Sequence, residues 1–213
     1  MPNTTLGQLT MEKSPSYFNS KRALKDIIEY DKQRRKANLT KIRLLLIVRH
    51  PTIRAYSLYA MRKRKNWTDW KNLTFEEAVL LKNGSVNRKI FFISFGMYGS
   101  LLVPWTKRFE SDQLLILSRQ ELLTRPRTTL IKVESLLGVA HYFQDAELTP
   151  HPSMEDIGAT CPMPHKNETN RLTKCRPIHS HNISSRTKEK LDNFFKNDME
   201  LFCSLAKINV TWC

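Results

Sequence analysis

Ile42-Arg43-Leu44-Leu45-Leu46-Ile47-Val48 runs without interruption into Arg49-His50-Pro51-Thr52-Ile53-Arg54-Ala55-Tyr56-Ser57. A short apolar run of this kind reads as a buried parallel strand, here about 43–48. Pro51 ends the extended segment and suits the first turn of a helix, where its missing N–H would have no partner anyway. Arg49 is therefore expected at the carboxyl end of a strand and Ser57 about two turns into the next helix. In open α/β sheets that edge takes anionic ligands. A guanidinium fork and a hydroxyl meeting there would clamp a phosphate. The plainer reading of the same residues is a strand–helix corner with an incidental surface arginine.

Working outward, a second apolar strand is expected at 113–118, and helices lie between and after the two. Residues 9–12 read as a short strand stopped by Ser14-Pro15. Residues 21–36 read as a helix with Ala23, Leu24, Ile27 and Ile28 on one face and Arg34-Arg35-Lys36 at its end. A helix at about 51–63 ends in the basic turn Arg62-Lys63-Arg64-Lys65, either a solvated helix end or a rim for an anionic polymer. Thr74-Phe75-Glu76-Glu77 has the capping-box pattern, and Asn83-Gly84 is expected to end the helix it opens. Residues 94–109 read as an amphipathic helix kinked at Pro104, and 127–137 as one ended by Gly138. Residues 140–185 carry five prolines and read as a long loop. A last helix at 187–207 and a terminal strand at 208–212 complete the chain. Strands alternating with helices indicate a parallel α/β sheet.

The 213 residues fit one domain, 1–213, with a core of its own. Lys and Arg total 35 against 20 Asp and Glu, a formal net charge of +15. Such a balance favours a polyanionic partner: a sulfated glycan, a nucleic acid or an anionic membrane surface. The compartment narrows that choice. Eight N-x-S/T sequons, at Asn3, Asn38, Asn66, Asn72, Asn83, Asn167, Asn182 and Asn209, suggest passage through the secretory pathway and make nucleic acid an improbable partner. The four cysteines agree. Cys161 and Cys175 enclose thirteen residues with little core of their own. A disulfide there would stabilise by about 3 kcal/mol. Metal is the other use, with His151, His165, His179 and His181 nearby, although no C-x-x-C or H-x-x-x-H spacing appears. Cys203 and Cys213 pair if the tail folds back on its helix. No run of eighteen apolar residues exists to span a membrane.

Leu9-Thr10-Met11-Glu12-Lys13-Ser14-Pro15-Ser16-Tyr17-Phe18 resembles the "EKSPAYF" stretch of the heparan sulfate glucosamine 3-O-sulfotransferases. Arg49-x-Pro51-x-x-Arg54-x-x-Ser57 is similar to that family's site for the 3'-phosphate of PAPS, 3'-phosphoadenosine 5'-phosphosulfate. Gly96-Met97-Tyr98, Trp105, Phe109, Gln113 to Leu117, Glu121-Leu122-Leu123, Pro126, Lys132-Val133-Glu134, Leu136-Leu137-Gly138, Cys161, Cys175 and Trp212 continue the likeness in order along essentially the whole chain. The resemblance implies a parallel sheet flanked by helices, like that of P-loop-containing nucleoside triphosphate hydrolases. It implies PAPS as co-substrate with no metal, and heparan sulfate or a related sulfated glycosaminoglycan as partner. Arg49 and Ser57 would hold the 3'-phosphate, and Lys13 would be the catalytic lysine beside the transferring sulfonate. Lys13 otherwise reads as a solvated strand-end lysine. It further implies the Cys161–Cys175 disulfide closing the 140–185 loop. The location implied is the Golgi lumen, with a membrane anchor outside this chain in the full-length form, or secretion.

The departures are also informative. None of the six glycines is followed by Lys-Ser/Thr, so the loop that cradles a 5'-phosphosulfate in the family is absent. The family's general-base glutamate would lie before Met1, and Glu12 is a poor substitute. The chain thus reads as the C-terminal two-thirds of a sulfotransferase domain, its P-loop part absent, and transfer by this stretch alone is expected to fail. His50 stands where the family has an acid, Leu58 and Met61 replace polar residues that face the saccharide, and Arg176-Pro177-Ile178-His179 replaces a Ser-Lys-Gly-Arg loop. Arg176 would supply part of that loop's charge to the nucleotide. The alternative function is an inactive sulfotransferase-like domain that binds sulfated glycan.

Overall fold

Pairing of two apolar segments organises the larger part of this molecule. The computed structural model describes residues 8–64, 72–145, 148–150, 160–162, 183–208 and 212–213, and its contacts divide the chain into two units, Met1–Lys41 and Ile42–Cys213.

In the first unit, α1 (Lys21–Lys36) begins where the Ser20 hydroxyl accepts from the Ala23 N–H. Arg34, Arg35 and Lys36 occupy its last turn, where cations suit the helix dipole. Arg35 pairs with Asp31 at 2.8 Å, and Arg34 reaches the Thr40 carbonyl, folding the chain back after the helix. Residues 8–14 join no ladder, contrary to the strand expected at 9–12. A strand is defined by its neighbour, and none of the described residues pairs with this stretch. Its contact is local instead: the Tyr17 hydroxyl donates to the Glu12 carboxylate.

In the second unit, the elements are β1 (Leu44–Val48), α2 (Pro51–Arg64), α3 (Phe75–Val79), α4 (Phe91–Ser94), α5 (Tyr98–Thr106), β2 (Leu114–Ser118), α6 (Arg119–Thr124), α7 (Pro126–Leu137), α8 (Tyr142–Asp145), β3 (Leu148–Pro150), β4 (Thr160–Pro162) and α9 (Ser185–Ala206). β1 and β2 pair in parallel, with Leu44 opposite Leu114 and Val48 opposite Ser118. Gln113, fully buried, ties the start of the ladder by donating its amide to the Ile42 carbonyl. Helices flank this pair, giving the α/β architecture read from the sequence. β1 is not buried on both faces, however. Leu45 and Ile47 stay 41% and 49% exposed while Val48 is covered.

α9 is the longest helix of the described residues and the core's other wall. Thr187, Leu191, Phe195, Asp198, Met199 and Phe202 form its buried stripe, which packs chiefly on α5. Full burial of side chains such as Phe195, Phe202 and Leu191 stabilises by about 1.5–3 kcal/mol each. The helix expected at 94–109 is shorter, α5 covering only Tyr98–Thr106, and α4 precedes it; between them a Cβ on Gly96 would meet the Phe195 ring at 2.9 Å. Pro104 lies inside α5.

The capping box at Thr74 and Glu77 forms as expected, but α3 stops at Val79, and Asn83-Gly84 instead makes the turn of a short bridge between Leu80 and Val86. Gly138 ends α7 in the left-handed region at φ 69. The 140–185 segment holds α8 and the antiparallel β3–β4 pair within what was read as loop. Cys203 and Cys213 are disulfide-bonded, with Cα atoms 5.6 Å apart, which brings Trp212 onto Phe202 at 6.1 Å between rings. The pairing of Cys161 with Cys175 and most of the expected 208–212 strand lie outside the described residues.

Candidate anion-binding site

The parallel register fixes the first feature of the site. Val48 and Ser118 are opposite each other at the ends of β1 and β2, so the next residues, Arg49 and Arg119, emerge side by side at the sheet's carboxyl edge. Adjacent strands lie about 4.8 Å apart, well within the reach of two guanidiniums to one ligand. Burial and the neighbouring Arg119 charge lower the Arg49 pKa to about 10, with Tyr98 opposing. Arg49 is still fully protonated at neutral pH, so the shift reports a cation held against burial and a like charge. Burial lowers Arg119 as well.

Tyr98, the first residue of α5, is buried directly beneath. The Arg49 backbone N–H donates to its hydroxyl. Burial pushes the Tyr98 pKa up to about 12 against the pull of Arg54 and Arg49, so it is a neutral hydroxyl at physiological pH. Arg54, one turn into α2, donates to the Phe92 carbonyl at 2.6 Å, and its Nε is buried without a partner. Burial lowers its pKa also. Neither Arg54 nor Arg119 is ion-paired with a carboxylate among the described residues. Arg49, Arg54 and Arg119 together make this edge cationic.

A second cluster braces the same corner. Thr52, fully buried in the first turn of α2, donates to Asp192 of α9 at 2.6 Å, and Lys188 pairs with the other Asp192 oxygen at 2.7 Å. His50 Nε2 stands 3.9 Å from Asp192. Burial lowers the His50 pKa more than Asp192 raises it, so at neutral pH this is a long polar contact and not an ion pair. Trp212 meets the His50 ring edge-on at 6.2 Å.

Of the residues expected from sequence, Arg49 lies at the strand end where it was read. Ser57 is half-buried on α2, three residues beyond Arg54, a spacing that puts side chains on one side of a helix. Lys13 is an exposed residue of the first unit. Arg176 lies outside the described residues. The basic turn at the end of α2 is partly a packing element. Arg62 sits over the Phe91 ring at 4.2 Å, and Lys63 donates to the Tyr59 hydroxyl. Arg119 carries no local signal in the sequence, and Tyr98 stands out there only as part of Gly96-Met97-Tyr98. Aligning the ends of the two predicted strands would have found Arg119. Among the described residues, no three His, Cys, Asp or Glu side chains group as a metal site, and no helix is long and apolar enough to cross a membrane.

A parallel strand pair, helices on its flanks and arginines at its carboxyl edge define an α/β domain with a cationic sheet edge. The chain belongs to the sulfotransferase domain family, which it matches over residues 10–202, a span that takes in most of both units. Mouse heparan sulfate glucosamine 3-O-sulfotransferase 3B1 is 32% identical over 147 residues, 68% of this chain and 35% of that protein. Mouse heparan sulfate glucosamine 3-O-sulfotransferase 5 is 33% identical over 144 residues, 65% of this chain and 38% of that protein. The chain thus spans little more than a third of these relatives' length. A solved sulfotransferase from Alicyclobacillus acidocaldarius shares the fold, with a TM-score of 0.55 over 84% of this chain and 61% of that one at 17% identity.

Proposed function

We propose that this chain is part of a PAPS-dependent sulfotransferase acting on a glucosamine hydroxyl of heparan sulfate, of the 3-O type. The observation that carries the reading is Arg49, half-buried at the carboxyl edge of β1 with its backbone N–H fixed on Tyr98. A charged guanidinium fork at the carboxyl edge of a parallel sheet fits the 3'-phosphate of the co-substrate, and the buried Arg54, whose Nε has no partner, adds to the positive field there. Ser57 adds a hydroxyl and Arg176 a further cation on the nucleotide. When bound, PAPS supplies the sulfonate. Lys13 provides positive charge beside the transferring group, where electrostatic stabilisation has most effect.

The net charge of +15 favours a sulfated polymer as acceptor. A Golgi-lumenal or secreted location is supported by the Cys203–Cys213 disulfide and by the exposure of the sequon residues Asn38, Asn72 and Asn83.

The test has two arms. Arg49→Ala should weaken binding of 3'-phosphoadenosine 5'-phosphate by roughly 1.5–3 kcal/mol, as loss of a charge-assisted contact does. Equal affinities would remove the assignment. By itself this stretch should bind the nucleotide without transferring sulfonate; joined to a sulfotransferase segment that carries the phosphosulfate loop and the general-base glutamate, it should pass labelled sulfonate from PAPS to heparan sulfate and not to chondroitin sulfate, and should fail to do so in Lys13→Ala. Salt-sensitive heparan sulfate binding without any transfer by the joined protein would favour an inactive glycan-binding domain instead.

A further inference from the structure

We propose that Asp192 of α9 is a positioning residue of the nucleotide site, holding the turn between β1 and α2 through Thr52, and that a proton taken up by His50 loosens this hold; the inference rests on the nucleotide reading above. Four consecutive residues, Arg49-His50-Pro51-Thr52, carry the strand into the helix. Within the turn, the Arg54 N–H donates to the His50 carbonyl at 2.9 Å, and the ring of Pro51 fixes its own φ. A tie from the turn to another element comes from Thr52, fully buried, whose hydroxyl donates to Asp192 Oδ1 at 2.6 Å. Lys188 takes the other oxygen of that carboxylate at 2.7 Å, so both sides of it are held. Arg49 lies three residues before Thr52 and takes its place from this anchor.

His50 stands against the same oxygen. Its Nε2 is 3.9 Å from Asp192 Oδ1, beyond hydrogen-bond reach, while Nδ1 is buried without a partner. A neutral ring tolerates this arrangement, with its proton on Nε2 and a bare nitrogen inside. An imidazolium does not, because both nitrogens then donate and the buried one has no acceptor. A charge-assisted bond forms at about 2.8 Å, so a charged ring would close on Asp192 by about 1.1 Å. The ring belongs to the residue between Arg49 and Pro51, and the stiff proline passes its movement along the turn. Where alignment sets an interaction, a misplacement of about 1 Å costs up to about a hundredfold. Burial disfavours the proton on His50 most, Asp192 favours it and Lys188 opposes it. Those two charges face the ring from α9, Thr52 on α2 and Trp212 in the tail carry none, and Arg49 precedes it in the chain.

The experiment is calorimetric binding of 3'-phosphoadenosine 5'-phosphate and of adenosine 5'-phosphate, which lacks the 3' group, between about pH 5 and 7.5. The proteins are wild type, Thr52→Val, Thr52→Ser, Asp192→Asn, His50→Gln and Arg49→Ala. At the upper pH, Thr52→Val and Asp192→Asn should each weaken the 3'-phosphorylated nucleotide by about tenfold and leave adenosine 5'-phosphate unchanged. Combined, they should lose less than the sum, because both remove one bond. Thr52→Ser keeps the hydroxyl and should bind as wild type does. As pH falls, the phosphate's own protonation near 6 weakens every variant alike. Wild type should lose about a further tenfold by the lower pH, and His50→Gln should not. Thermal melts at each pH provide the folding control; if Asp192→Asn melts below the assay temperature, the two Thr52 variants carry the same comparison. The inference is overturned if Thr52→Val binds as wild type does, if it loses both nucleotides alike, or if Thr52→Ser loses as much. Equal pH slopes in wild type and His50→Gln overturn it too. So does a wild type that gains on His50→Gln as pH falls, which would make the imidazolium a phosphate ligand itself. Where these outcomes occur while Arg49→Ala still loses the 3'-phosphorylated nucleotide, the inference falls and the nucleotide reading stands. Failure of wild type to distinguish the two nucleotides removes both.

Discussion

His50 shows how one side chain couples the sheet edge to pH. Its ring is flanked by Asp192, Lys188 and Trp212, with Nδ1 buried and without a partner. Burial is the largest influence and lowers its pKa, so the folded chain holds it neutral while the unfolded chain protonates near 6.5. The stability this contributes is fully present above about pH 6.5 and is lost as pH falls through the lower folded value. Urea midpoints for wild type should therefore fall between pH 7.5 and 5 by more than those of His50→Gln. Parallel slopes would show that His50 is protonated in the fold. At this scale the sequence was unevenly readable. Arg49 and Ser57 stand in one continuous stretch, where a strand, a proline and a helix fix their order. Arg119 lies 70 positions further on, and only the pairing of β1 with β2 makes it a neighbour.

The contact between α5 and α9 is the most closely built joint between elements. The Asp198 carboxylate accepts from the Gly99 and Ser100 N–H groups, both at 2.8 Å, and so caps α5 from another helix. The helices approach so closely that a Cβ on Gly99 would stand 2.2 Å from the Asp198 carbonyl oxygen and 2.9 Å from the Phe202 nitrogen. Both are backbone atoms, which cannot rotate away. Gly99→Ala should consequently destabilise by about 3 kcal/mol or more, at the upper end for overpacking. Chemical denaturation with a change under 1 kcal/mol would show that the helices slide apart freely. Local signals were enough for the start of α3 and the stop of α7, because the Thr74–Glu77 box and Gly138 act within a few residues, and the apolar face and basic end marked α1. The close approach of Phe195 to Gly96 between α4 and α5 was hidden, since the two lie 99 positions apart in the chain. The strand at 9–12 failed for the complementary reason: alternation proposes a strand, but a partner makes one.

Across the whole molecule, covalent closure reinforces what the core begins. The Cys203–Cys213 bridge spans a separation of 10 residues and holds Trp212 between Phe202 and His50. The chain-entropy account gives a loop of this size about 3 kcal/mol. Replacing both cysteines by serine should lower the unfolding free energy by roughly that amount and free the Trp212 fluorescence from its packed environment. An unchanged midpoint would mean that the tail is held by packing alone. The alternation of strand and helix segments announced the α/β class, and composition the net basic charge. It could not say which cysteines would meet, because pairing depends on where a helix delivers its end.

The bond between Thr52 and Asp192 joins residues 140 positions apart, and the one between Gly99 and Asp198 spans 99. Both are closed by α9, so the corner that bears Arg49 cannot be completed until that helix has left the ribosome. During synthesis β1, α2 and α5 wait with their apolar faces uncovered, a state in which aggregation competes with folding. Asn38, Asn72 and Asn83 have already emerged by then. Glycans added at those sequons would act on the waiting chain first, as solubilising groups during its slowest interval, and only afterwards as decoration of the folded surface.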